Sequence, residues 1–133
     1  MKAQAKILLV DDDPDFLEMH KAVLQNRGYE VFTATSAQEG LGRVRAEMPD
    51  LIILDLMMEK HDAGFSFSKA VKTDPLFRTI PILMVTSVAE ATGYRFSLEE
   101  DGYWMKTDDF LNKPVPPEVL LEAVDKLLRK KKE

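Results

Sequence analysis

The chain contains no cysteine. A disulfide framework and a thiolate metal site are therefore both excluded, and the usage suits a reducing cytoplasm, the expected location. Long apolar runs are missing as well. In the opening MKAQAKILLVDDD, only Ile7 to Val10 are continuously aliphatic before three carboxylates, too short for a signal-peptide core or a membrane span. Basic charge is in deficit, with 18 Lys and Arg against 23 Asp and Glu and a formal net charge of −5. That balance opposes a generic nucleic-acid surface, so no direct DNA contact and no membrane association are expected. There is no internal repeat and no linker. Only Arg129 to Lys132 is low in complexity, and there it reads as favourable charge at a helix C-terminus. What is present is 133 residues at 45% hydrophobic, enough to bury the core of one domain.

Strands and helices alternate along the chain. Ile7 to Val10 reads as a strand buried on both faces. Pro14 opens a helix with Phe16, Leu17, Val23 and Leu24 at helical spacing, and Asn26-Arg27-Gly28 stops it. Tyr29 to Ala34 is a second strand. Ser36 and Glu39 have capping-box spacing before a helix over Leu41 and Val44 that ends ahead of Pro49. Leu51 to Leu54, a helix from about Phe65 to Thr73, Ile80 to Val85 and Phe110 to Asn112 follow. Pro116-Pro117 then starts a helix with Val119, Leu120, Val124, Leu127 and Leu128 on one face. The alternation predicts a parallel sheet with helices on both sides.

Four strand ends each offer one residue type that an aspartyl-phosphate site needs: Asp11-Asp12, Asp55, Thr86 and Lys113. In an open parallel sheet the strand carboxyl ends form the ligand crevice, so these residues converge there. Mg²⁺ takes oxygen ligands, typically one or two carboxylates with a phosphate oxygen, and Asp11, Asp12 and Asp55 supply such a set. Carboxylates act as nucleophiles toward phosphorus. Phosphoryl transfer relies mainly on positioning and charge neutralisation, which suits Mg²⁺, Lys113 and the Thr86 hydroxyl.

Over Lys6 to about Arg129 the chain resembles the receiver domain of two-component response regulators. The resemblance implies an α/β, doubly wound (βα)₅ flavodoxin-like parallel sheet of strand order 2-1-3-4-5. It also implies one receiver domain over residues 1–133, and no output domain is legible after Leu128. By it Asp55 is the phosphoacceptor, and Asp11, Asp12, Asp55 and the Met57 carbonyl hold Mg²⁺. Thr86 and Lys113 contact phosphoryl oxygens, and Phe110 changes rotamer with Thr86. The implied partners are a sensor histidine kinase or phosphotransfer protein and a downstream protein effector, with phosphorylation-dependent homodimerisation open to such a domain. No turnover of an external substrate is expected beyond self-catalysed phosphorylation and dephosphorylation.

The chain departs from that family after Leu56-Met57-Met58, where Glu59-Lys60-His61-Asp62-Ala63-Gly64 lacks the usual Pro and is one residue longer. Thr86 and Lys113 are 27 positions apart, more than is usual. Gly93 and Gly102 suit helix interiors poorly, so a short or remodelled helix is expected there. A second class also offers an Asp-x-Asp after a first strand: haloacid-dehalogenase-like phosphatases, with Asp11 as nucleophile. Those enzymes need acidic ligands late in the sheet, and Asp108-Asp109 precedes a strand instead of following one. His20 and His61 read as surface residues, not as phosphorelay histidines.

In receivers the residues two beyond the phosphoacceptor and two beyond the Thr tune hydrolysis; here they are Met57 and Val88. Neither side chain orients a water by hydrogen bonding. A phosphoryl group longer-lived than in receivers with polar residues at both places is expected, and the double change Met57→Asn with Val88→Glu should hasten its loss. Decay of the labelled protein measures this, and an unchanged or slower rate refutes it.

Overall fold

The computed structural model describes residues 5–55, 63–87, 109–113 and 115–132. Five parallel strands form one sheet: β1 (Lys6–Val10), β2 (Glu30–Ala34), β3 (Leu51–Leu54), β4 (Ile82–Ser87) and β5 (Asp109–Lys113). Their spatial order is β2-β1-β3-β4-β5, the doubly wound order expected. Among the described residues the helices are α1 (Pro14–Asn26), α2 (Ala37–Glu47), α3 (Ala63–Thr73) and α4 (Pro117–Lys132). The segment expected to hold a remodelled helix lies almost wholly outside the described residues, as does His61.

The aliphatic strands have no polar alternation because each strand position meets a core. Leu8, Val10, Ile52, Leu54, Ile82 and Met84 point to one face and pack with Val44, Phe67, Val71, Phe77 and Ile80. Ile7, Leu9, Leu51, Ile53, Leu83 and Val85 point to the other, against Phe16, Leu17, Leu24, Leu120, Val124, Leu127 and Leu128. The period-two division follows from the pleat, and helices on both faces remove the need for polar positions.

Local chemistry sets the helix ends. Asp13 caps α1, its side chain accepting from the backbone N–H of Asp15 at 3.0 Å and of Phe16 at 3.4 Å, while Pro14 stands where no intrahelical donor is needed. Gly28 ends the turn after α1 at φ 101°, a conformation that favours glycine. Ser36 caps α2 by accepting from Glu39 N–H at 3.1 Å. Arg27 and Tyr29 both reach Asp125 on α4. Burial first, then the bond to Asp125, pushes the Tyr29 phenol up to about 12, so it remains a donor at neutral pH.

Three expectations from the sequence need correction. Ile80 does not begin β4: its N–H turns back to the Phe77 carbonyl at 2.9 Å and Pro81 has no N–H for a ladder, so the strand starts at Ile82 and runs through Ser87. Val119 is not on the core face of α4 but 40% exposed, while Ala123 takes a core place. His20 is not a surface residue; it is 1% exposed on the inner face of α1.

Two glycines of α2 separate propensity from packing. A Cβ on exposed Gly42 meets nothing within 4 Å, whereas one on Gly40 would lie 2.7 Å from Phe67 Cε2 and 3.1 Å from Val10 Cγ2. Gly42→Ala should therefore stabilise the fold by about 0.5–1 kcal/mol through helix propensity. Gly40→Ala gains the same propensity but forces fully buried Phe67 aside, an overpacking cost of about 1–3 kcal/mol, so a net loss near ~1 kcal/mol is expected. Urea unfolding of the two variants should shift in opposite directions.

Candidate functional site

Asp11 and Asp55 occupy the same step of two neighbouring strands. Val10 and Leu54 are register partners of β1 and β3, and each is followed at once by its carboxylate. The backbone holds the pair in place: Asp55 N–H donates to the Val10 carbonyl at 2.9 Å, and Asp11 N–H donates to the Ala34 carbonyl at 3.1 Å. Both side chains are buried, Asp11 at 1% and Asp55 at 5% exposed. Asp12 is exposed beside them, and the carboxylate oxygens of all three lie within 4.8 Å of one another.

The consecutive acids at residues 11–13 divide their work by geometry. Asp13 turns away to cap α1, and its own N–H donates to Asp11 Oδ1 at 2.9 Å. That bond fixes one oxygen of the Asp11 carboxylate. The capping role of Asp13 was readable from an acid directly before Pro14, since Asp is a preferred N-cap; the sequence reading credited Pro14 alone. The nearby N-terminus of α1 favours negative charge, but three carboxylates in one place still repel. For the buried pair Asp11 and Asp55, an approach within 4.8 Å costs roughly 3 kcal/mol or more when both are ionised at an effective dielectric of about 20. A hard divalent cation relieves that repulsion, and the all-oxygen donor set suits one.

The remaining predicted residues follow along the same edge. In β4 and β5, Thr86 pairs with Asn112 and Ser87 with Lys113, while Met84 pairs with Phe110 on one side and Leu54 on the other. By backbone position, Thr86 and Lys113 therefore lie at the carboxyl edge that carries Asp11 and Asp55. Their side chains and that of Phe110 lie outside the described residues, together with the whole of Met57 and Val88.

The family model for the response regulator receiver domain matches residues 7–125. The chain belongs to this family. Protein PilH of Pseudomonas aeruginosa is 31% identical over 127 residues, covering 93% of this chain and 98% of PilH. The alkaline phosphatase synthesis transcriptional regulatory protein PhoP of Bacillus subtilis is 34% identical over 94% of this chain, which spans only 49% of PhoP. This receiver thus spans about half the length of such regulators, or less. A CheY-like receiver domain protein from Methanospirillum hungatei superposes with a TM-score of 0.83 at 30% identity, over 98% of both chains. Membership of a receiver family does not favour the phosphatase alternative, and Asp109 opens β5 instead of following a strand.

If repulsion between Asp11 and Asp55 loads the receiver, Asp55→Asn should raise its stability in the presence of a metal chelator by about 1–2 kcal/mol. Urea unfolding with and without added Mg²⁺ measures both the gain and the loss of metal-dependent stabilisation. A variant less stable than the parent in chelator contradicts the electrostatic account.

Proposed function

We propose that the domain accepts a phosphoryl group on Asp55 from a sensor histidine kinase or a phosphotransfer protein. The observation that carries this reading is the three-carboxylate cluster, with Asp55 buried at the carboxyl end of the central strand β3. Asp11, Asp12 and Asp55, with the Met57 carbonyl that the family resemblance adds, would hold Mg²⁺. When bound, the ion offsets the charge that would otherwise keep a phosphoryl group away from three acids.

The protein's part is attack and positioning. An Asp55 oxygen attacks phosphorus, the phosphorus–nitrogen bond of the donor's phosphohistidine breaks, and the released imidazole takes a proton from water. The product is an acyl phosphate on Asp55. Lys113 binds a phosphoryl oxygen by its ammonium and Thr86 donates its hydroxyl to another. Thr86 moving toward the phosphoryl group vacates room that Phe110 fills, changing a surface read by a downstream protein effector or by a second copy of the chain. Met57 and Val88 set how readily water reaches the acyl phosphate.

The acidic balance of the chain supports protein partners and not direct DNA contact. Among the described residues no helix is long and apolar enough to cross a membrane, and a cytoplasmic setting follows from the expected kinase partner and the lack of cysteine.

After treatment with acetyl phosphate or phosphorylated kinase in Mg²⁺, mass spectrometry should locate one labile phosphate on Asp55. Asp55→Asn should abolish the label while retaining the circular dichroism of the parent, because the amide is nearly isosteric. A label on Asp11, or full labelling of Asp55→Asn, would sink the assignment.

A further inference from the structure

His20 is a buried titratable side chain that phosphoryl transfer at Asp55 does not call on. It lies on the inner face of α1, one turn after Phe16 and one turn before Leu24, all three buried. The imidazole stacks on the Phe16 ring with centroids 4.1 Å apart. Nδ1 lies 3.0 Å from the Phe16 carbonyl oxygen, one turn back in the same helix. Nε2 lies 3.5 Å from the carbonyl oxygen of Val115, 95 residues away in sequence.

The two carbonyls differ in need. That of Phe16 is already the α-helical acceptor for the His20 backbone N–H. That of Val115 belongs to the connection between β5 and α4, where no ladder or helix supplies a donor by pattern. Val115 is itself buried at 6%, so an unmet carbonyl there would be unfavourable. Both partners accept, and a neutral imidazole has a single N–H, so any form of the ring with hydrogen on Nε2 ties Val115 to α1. Val115 comes two residues after Lys113, the last residue of β5.

We propose that His20 is a positioning residue, which anchors the Val115 carbonyl from within α1 and thereby fixes where β5 delivers Lys113. This rests on the role given above to Lys113. α1 also begins immediately after the acidic cluster, at Asp13 and Pro14. One helix thus carries both the end of the acidic loop and the anchor for the lysine segment, and links the two ends of the site without touching the reacting atoms.

His20→Met and His20→Gln test the anchor, because both are unbranched and of similar length while only Gln donates a hydrogen bond. The rate of Asp55 labelling by acetyl phosphate at saturating Mg²⁺ should fall about fivefold in His20→Met, the worth of one hydrogen bond, and recover most of that in His20→Gln. Mg²⁺ affinity, set by the carboxylates on the other strands, should not change in either. In a Lys113→Ala background His20→Met should cause no further loss. Nitrogen NMR of the parent imidazole should show hydrogen on Nε2. A ring protonated on Nδ1 alone, an unaffected His20→Met, or a loss that persists without Lys113 overturns the proposal. Labelling of Asp55→Asn would instead refute the phosphoacceptor reading, leaving the two failures distinguishable.

Discussion

Everything at this site depends on the parallel pairing of β1 with β3. A backbone bond from Asp55 to Val10 across that pair, with one from Asp11 to Ala34 of β2 on the other side, places two buried carboxylates side by side where isolated acids would move apart. The repulsion is tolerated because it is confined to one edge. Behind that edge the strands are aliphatic on both faces, and each face is closed by helices. Burial of this apolar surface supplies the favourable free energy against which a few kcal/mol of local charge crowding can stand.

The helices do more than cover the sheet. α1 begins where the acidic loop ends, and its cap, Asp13, uses the carboxylate that the cluster does not take. Asp11 in turn accepts from Asp13 N–H, so capping and ligand positioning belong to one network. On the other face, the close approach of α2 to the sheet depends on Gly40, beside Phe67 and Val10. α4 is tied to α1 and the start of β2 by Asp125, which Arg27 and Tyr29 share. The exposed member of that trio, Arg27, adds little by itself, since solvent screens surface pairs; the half-buried phenol gives the contact its direction.

Strands are written locally, in runs such as LIIL or ILLV that are too short for a helix and bounded by turn signals, while their parallel direction comes from the alternation with helices. Helix starts are local too: Pro14 and the Ser36 to Glu39 spacing hold where the sequence puts them, because a cap involves residues three or four apart. Strand ends identified Asp11, Asp12, Asp55, Thr86 and Lys113 as one edge, and the observed order of strands agrees.

What only the tertiary structure decided are the properties that need two distant segments at once. That Asp11 and Asp12 stand beside Asp55 follows from the placing of β1 next to β3. Ile80 stands outside β4 because the ladder with β3 begins only at the Pro81 carbonyl, which accepts from Ile52 N–H. Val119 is exposed while Ala123 is buried because the sheet, not the helix, sets which stripe of α4 faces inward. His20 is the clearest case. Its neighbours along α1 mark a helix but not a depth, and the groups that enclose it include a carbonyl 95 residues away. Local sequence specifies backbone form through short-range sterics and hydrogen bonds, whereas burial and pairing are decided by whatever the rest of the chain brings alongside.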